Sequence, residues 1–413
     1  MPLNNTQAHD KILTIILAGG QGERLYPLTK DRAKPAVPFG GIYRIIDFTL
    51  SNCLNSGLRK IVVLTQYKSF SLDKHLRLGW NIFNNELNEY VEQIPPQQRI
   101  SDQWYQGTAD AVYQNIYTLE KEQPEMVLIL SGDHIYKMDY RNMALFHLEN
   151  KADLTIACME VPLSEGKRFG VIKTDEENRI VGFHEKPSEP IPSPNNPEVA
   201  LASMGIYLFN TTTLVKAIID DAKQDTNHDF GKNIIPEMIH SKRVYAYPFT
   251  DGTNNNLNYW RDIGTLDAYW EANMDLVQES PEFNLYDKDW PIRTHQEQNP
   301  PAKTIFKKTL PEERTDMILN SIVSGGCIIS GAKVEGCILS PDVRVDTNSE
   351  IYDSIIMESV RIGKNVKIRK AIIDKSVNIP DYMSIGYNRE DDSKHFTVTD
   401  SGITVVRKEM HLI

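Results

Sequence analysis

Over the first roughly 275 residues, short apolar runs stopped by glycine or polar turns alternate with longer stretches of helical spacing. The run at 12–18 is short, rich in β-branched residues and ends at Gly19, which predicts a buried first strand. Similar runs at 61–65, 126–130, 154–158 and 205–209 predict further strands. Residues 69–78 mix polar and apolar positions, and 109–120 and 265–277 carry helical patterns. Strands alternating with helices predict an α/β domain. The four prolines within 190–197 mark a surface loop.

The pattern then changes. Residues 279–303 hold Pro281, Pro291, Pro300 and Pro301 without clear periodicity and read as a linker with embedded aromatic anchors. Beyond it runs a six-residue repeat: Ile322, Ile328 and Val334, then Val360, Val366 and Ile372, with Val377 and Met383 resuming after a five-residue step. Many of these open an apolar-x-apolar pair, such as Val343/Val345, Val360/Ile362 and Val366/Ile368. Hexads that keep register predict a left-handed parallel β-helix, each coil burying an inward row against the next. A β-sandwich of short strands is the other arrangement such strands allow. The expected division is an α/β domain over 1–278, a linker over 279–312 and a β-helix over 313–413 whose end coil offers a packing surface.

Composition narrows the function. At 413 residues, two domains are expected, and 40% hydrophobic with 24% charged residues is ordinary for a globular chain. A net charge of −11 argues against a broadly basic nucleic-acid surface but leaves room for a local cationic pocket. Residues 1–11 lack the apolar region of a signal peptide, and no apolar stretch is long enough to span a bilayer. Cys53, Cys158, Cys327 and Cys337 are scattered without CxxC pairs, so buried reduced thiols and a cytoplasmic location are expected. No Ser-His-Asp arrangement, HExxH motif or histidine spacing suited to a metal appears, so a hydrolase has no support.

The chemistry concentrates near the first strand. Leu17-Ala18-Gly19-Gly20-Gln21-Gly22-Glu23-Arg24-Leu25 is followed closely by Arg32-Ala33-Lys34-Pro35. Three glycines let successive amides approach a ligand, and Arg24 and Lys34 add two cations, a combination suited to a triphosphate at a strand end. The loop is neither a P-loop nor a complete dinucleotide fingerprint, and a glycine-rich turn alone is equally consistent with a plain turn. Asp133, just after the 126–130 run, has the placement of a cation ligand and also of a helix N-cap. Asp262 is a second acid of this kind; two such carboxylates facing the loop would clamp a metal on a transferring phosphate. Trp104-Tyr105-Gln106-Gly107-Thr108-Ala109-Asp110 suits either a nucleobase or the anchoring of a loop. Glu185 and Lys186 read as a sugar-phosphate grip or as a solvated charge pair.

Taken together, the chain resembles the bacterial glucose-1-phosphate adenylyltransferases (ADP-glucose pyrophosphorylases) over nearly its whole length. The likeness extends to Arg44-Ile45-Ile46-Asp47-Phe48, to Ser51-Asn52-Cys53-Leu54-Asn55-Ser56-Gly57, to Ser203-Met204-Gly205-Ile206-Tyr207 and to Asp289-Trp290-Pro291-Ile292-Arg293-Thr294. It implies a Rossmann-like, GT-A-like nucleotidyltransferase domain with a mixed sheet, then the β-helix. The implied reaction is ATP plus α-D-glucose 1-phosphate giving ADP-glucose and pyrophosphate, with Mg²⁺, in glycogen synthesis, by a homotetramer under small-molecule effectors.

By the same resemblance Gly19, Gly20 and Gly22 cradle phosphates, Arg24 and Lys34 neutralise the leaving pyrophosphate, and Gln98 and Gly107 contact the base. Asp133 and Asp262 hold Mg²⁺. Tyr105, Gly170, Glu185, Lys186 and Ser203 match the glucose 1-phosphate pocket, while Arg32, Arg44, Gln66 and Trp104 match effector and coupling positions. Asp31 stands where enteric members carry a lysine associated with a sugar-bisphosphate activator, which puts activation by fructose 1,6-bisphosphate in doubt. Gln21 stands where an arginine is frequent, a change expected to affect catalysis only modestly. A catalytically silent regulatory subunit and a nucleotidyltransferase for another sugar or base are the alternatives; acetylation is not expected, since the repeats show no acetyltransferase histidine.

Overall fold

The computed structural model describes residues 11–97, 103–193, 196–249, 259–305, 317–410 and 412. A nine-stranded mixed sheet organises the first domain. Its central strand, Ile12–Ala18, runs parallel to Lys60–Thr65 on one side and to Met126–Ser131 on the other. Ile12, Ile16 and Ala18 pack into one apolar core while Leu13 and Ile15 pack into a second on the opposite face. Burial on both faces explains why this strand reads as a continuous apolar run rather than an alternation. Because successive strands add on opposite sides of Ile12–Ala18, its carboxyl end opens at a topological switch point, where α/β sheets bind ligands.

Most of the antiparallel pairing runs along one long strand, Val199–Asn210, which pairs with Met126–Ser131, Leu154–Pro162 and Gly170–Thr174; Ile180–Glu185 adds an antiparallel edge on Gly170–Thr174. The sequence predicts only 205–209 of it. Its register shifts between Ser203 and Tyr207, where Gly205 takes φ 68°. The helix expected over 109–120 is divided into Thr108–Tyr113 and Ile116–Glu122. At the break the Asn115 amide bonds back to the Ala111 carbonyl (2.8 Å) and reaches the Tyr105 hydroxyl (2.9 Å), so this side chain competes with the helix backbone.

The second domain is a left-handed parallel β-helix of the hexapeptide-repeat kind, its strands only two or three residues long and stacked in three sheets. From Lys333 to Ser384 stacked positions lie 17 residues apart, as in Ser349 and Val366, so a coil there makes two six-residue steps and one of five, whereas the preceding coil, with Ile322 stacked on Ile338, is one residue shorter. That is the origin of the five-residue step in the sequence. Corners recur at the same interval in the left-handed region: Asp342, Ser359 and Ser376 form one column, and Asn348, Asn365 and Tyr382 another. Residues 303–305, within the stretch read as linker, pair with Ile328–Ser330 as a strand of this helix.

The domains share an apolar core. Leu25, Leu28, Phe39 and Phe48 pack in one cluster with Ile338, Ile355, Met357 and Val405 of the β-helix. The connecting strap is fastened down: Trp290 Nε1 donates to Asn52 Oδ1 (2.9 Å) and Asn55 donates to the Pro291 carbonyl (3.0 Å). The four cysteines are buried and unpaired, and burial pushes the Cys337 thiol up to about 12. Among the described residues no helix is long and apolar enough to cross a membrane.

Candidate active site

A cleft of about 840 Å³ opens at the carboxyl end of the central strand and takes in the glycine loop, Lys34, Asp133, Tyr105, Gly107 and Glu185. Gly22 adopts φ 65°, and a Cβ there would meet Thr29 at 3.0 Å and the Lys34 side chain at 3.1 Å. Only glycine suits that backbone and that approach. A Cβ on Gly20 would meet nothing within 4 Å, so the loop backbone lies open at this point, whereas Gly19 backs onto Gln66. Gln66 is buried and its Oε1 accepts from the Tyr105 amide (2.8 Å), joining the two rims of the cleft.

The acidic pair is assembled by a two-stranded ribbon. His134–Tyr136 runs antiparallel to Trp260–Asp262, with Asp262 opposite His134. Asp133 immediately precedes this ribbon, so it follows a strand and begins another rather than capping a helix. Between the two acids stands Lys34, buried, with its Nζ 2.7 Å from Asp133 Oδ2 and 3.4 Å from Asp262 Oδ1. Burial alone would lower the Lys34 pKa, but the carboxylates of Asp133 and Asp262 outweigh it and raise the group above the ordinary lysine range. Burial alone would likewise raise Asp133; the Lys34 and His134 charges and the hydrogen bonds from Lys34 and Ser131 instead hold it well below the carboxylate range. Arg24 approaches from the far side, where a Cβ on Gly264 would lie 3.1 Å from both its guanidinium and Asp262.

Asp133, His134 and Asp262 bring ligand atoms within 4.8 Å of one another. Two carboxylates suit a hard cation that also binds phosphate oxygens. His134 was missed by sequence reasoning, although it adjoins Asp133: its Nε2 lies 3.5 Å from Asp133 Oδ1, and its buried Nδ1 has no partner among the described residues.

Glu185 closes the far end of the cleft. A Cβ on Gly170 would come within 2.9 Å of its Oε2 and one on Gly231 within 2.7 Å, so two glycines make room for this carboxylate. Lys186 pairs with it at 3.0 Å while remaining mostly exposed, an arrangement with little intrinsic stabilisation. Ser203 is buried at the strand irregularity, and Tyr207, a few residues on, lines the cleft. Asp229, also missed, accepts from Thr108 Oγ1 (2.9 Å) and from the Gly231 amide (2.9 Å). Its signal was an acidic residue opening a short helical turn. Gly107 packs so closely on 227–228 that a Cβ would fall 2.2 Å from the His228 carbonyl oxygen.

The remaining predicted positions scatter. Trp104 is exposed and stacks on Tyr67 at 5.5 Å. Arg44 lines a separate pocket at the seam between the domains, and Arg32 is buried in an ion pair with Asp374. Gln98 lies outside the described residues.

Comparison with known proteins agrees with the fold and gives the family. The family described as Nucleotidyl transferase matches residues 13–279, and that described as GlmU-like, C-terminal hexapeptide matches 300–406. A glucose-1-phosphate adenylyltransferase of Koribacter versatilis is 54% identical over 97% of this chain and 96% of its own length. The chain belongs to the glucose-1-phosphate adenylyltransferase family. Adenylyltransferases of the same name from Methylococcus capsulatus and Rhodopirellula baltica are 53% and 52% identical, over 95% and 97% of this chain and 92% and 91% of their own. Nucleotidyltransferases in general use a divalent metal, and in this chain the paired carboxylates are the donors that fit one.

Proposed function

We propose that the chain transfers the adenylyl group of ATP to α-D-glucose 1-phosphate, giving ADP-glucose and pyrophosphate for glycogen (α-glucan) synthesis. The observation that carries this reading is Lys34, held between Asp133 and Asp262 where the glycine loop meets the cleft that ends at Glu185. A sugar-phosphate oxygen attacks the α-phosphorus, forming one P–O bond as the bond to pyrophosphate breaks. The attacking phosphate is already largely dianionic at neutral pH, its second pKa being about 6, so no general base is required. The work left to the protein is positioning and charge neutralisation. Gly19, Gly20 and Gly22 present amides to the phosphates, with Arg24 and Lys34 facing the leaving pyrophosphate. Gly107 lies on the base side, a role the family resemblance also gives Gln98; Tyr105, Gly170, Glu185, Lys186 and Ser203 form the sugar side. Mg²⁺ held by Asp133 and Asp262 would neutralise and orient the transferring phosphate.

Pyrophosphate release across a panel of nucleoside triphosphates and sugar 1-phosphates tests this. Turnover confined to ATP with glucose 1-phosphate is expected. Turnover with another pair would reassign the substrate, and silence with every pair would make the chain a regulatory subunit. The pH profile makes a second check. Lys34, raised, stays charged on the alkaline side, and Asp133, lowered, stays charged on the acid side. The acid limb of kcat/KM is therefore expected near pH 6, from the sugar phosphate itself. A limb that fails to move with a phosphonate analogue of higher second pKa would count against this assignment.

We further infer that the chain is cytoplasmic, forms a homotetramer, and binds an anionic effector in a cavity of about 190 Å³ at the domain seam. Arg44 and Lys375 line it together with Glu358. Burial lowers the pKa of both Arg44 and Lys375, and their cationic neighbours, Arg32 among them, add to the effect. An anion there would relieve that repulsion. Asp31, exposed beside Arg32, puts a negative charge near the same seam. Asp31→Lys is expected to create or strengthen activation by fructose 1,6-bisphosphate; an unchanged activation curve would place the effector elsewhere.

A further inference from the structure

Arg32 leaves the segment between the glycine loop and Lys34 and meets Asp374 on the β-helix, its Nη2 lying 2.7 Å from Oδ1 and 2.6 Å from Oδ2. Both side chains are buried, at 6% and 1% of their full exposure, and Arg32 Nη1 has no partner among the described residues. Asp374 is itself well held. Its amide donates to the Val406 carbonyl (2.9 Å), and its Oδ1 also accepts from the Lys375 amide (2.7 Å). On the other side only Ala33 separates Arg32 from Lys34. The Ala33 amide is bonded to the Lys68 carbonyl (3.3 Å), and Lys34–Ala36 forms a tight turn. There is little slack in which a shift of Arg32 could be absorbed before it reached Lys34.

The pair is not required to join the domains, which already share an apolar core. Buried ion pairs stabilise weakly compared with apolar packing, because desolvating two charges offsets much of their attraction. What this buried, charge-assisted contact does supply is a fixed direction and distance, since a single guanidinium nitrogen, Nη2, is held by both oxygens of Asp374. We propose that Asp374 is a positioning residue for adenylyl transfer: through Arg32 it sets the segment that presents Lys34, so the β-helix helps to shape the catalytic cleft. This rests on the reading of Lys34 as the cation facing the transferring phosphates.

The test compares full-length Asp374→Asn, Arg32→Gln and the double variant by kcat, both KM values and thermal melting. Each single substitution is expected to lower kcat by about tenfold or more, since sub-ångström to ångström misplacement of a charge-neutralising group costs that much. The KM for glucose 1-phosphate, whose pocket lies at the other end of the cleft, should stay within about twofold. The double variant should be no slower than the slower single, as expected for two residues acting as one unit. Asp374→Glu keeps the charge but lengthens the arm by one methylene; it should fold even where Asp374→Asn does not and still lower kcat. A lower melting temperature with wild-type kcat in Asp374→Glu and in whichever single variants fold would overturn the proposal. So would losses in the double variant that multiply. Failure of the wild-type protein to make ADP-glucose in the same assay would instead remove the functional reading beneath it.

Discussion

Asp133→Asn is expected to lower kcat about a thousandfold while the far-UV circular dichroism spectrum stays unchanged. The substitution keeps the shape of the side chain and removes its charge at the point where Lys34 Nζ sits 2.7 Å away. If Asp133 orients a cation on the transferring phosphate, the loss corresponds to about 4 kcal/mol of transition-state stabilisation, at about 1.4 kcal/mol per factor of ten. Folding should tolerate the change because Lys34 retains Asp262 as a partner and because the strand Met126–Ser131 leading to the site is held on both sides. Turnover within a few-fold of wild type would remove Asp133 from the metal-binding role.

Lys34→Met is expected to be comparably damaging and to change the pH profile as well. The lysine pairs with the carboxylates on either side of it and, on the proposed reading, also faces the phosphates of the nucleotide. Without it, Asp133 keeps the burial that raises its pKa and loses the largest influence that lowers it. Its pKa in the variant must therefore move upward, and protonation would then begin at a pH where the wild-type group is fully ionised. The expected result is a kcat reduced on the order of a thousandfold, consistent with the loss of a preorganised charge, together with an acid limb displaced to higher pH. Steady-state rates across pH, with titration of divalent-metal binding to the variant, would check both. An unchanged limb would mean that Lys34 does not control the ionisation of Asp133.

Much of this was readable before any coordinates. Ile12–Ala18 declared itself as a doubly buried strand because seven residues in a row avoid strong polarity, and the glycines after it marked the turn. The β-helix was legible because every coil repeats the same inward row, and its 17-residue coil explains the odd five-residue step. The same local character makes boundaries hard to read. Residues 303–305 join the β-helix through pairing with Ile328–Ser330, a partner distant in sequence, and nothing in their own pattern announces it. The break at Asn115 depends on the Tyr105 hydroxyl, which reaches that helix from another segment.

The site divides in the same way. Residue types with strong local signatures, the glycines and the cations beside them, pointed from sequence to a phosphate-binding end, and the structure gathers them in one cleft. Asp133, taken by itself, kept two readings, ligand or helix cap, because both place an acid after a strand. The ribbon that sets Asp262 opposite His134 removes the second reading. Asp229 and His134 were missed because an isolated acid or histidine has no pattern; each acquires meaning from what is folded against it. Arg32 shows the reverse case, a cation expected at an effector position that the structure pairs with Asp374 from the far domain.

Sequence by itself thus determined the two kinds of domain, the glycine loop and its cations, since periodicity, β-branching and glycine content act over a few neighbouring residues. Only the tertiary structure decided which acid faces which cation, where Glu185 finds room between Gly170 and Gly231, and that Asp374 reaches the segment carrying Lys34. Those are contacts between positions far apart along the chain, and their energies depend on burial and distance, quantities that exist only once the chain has packed.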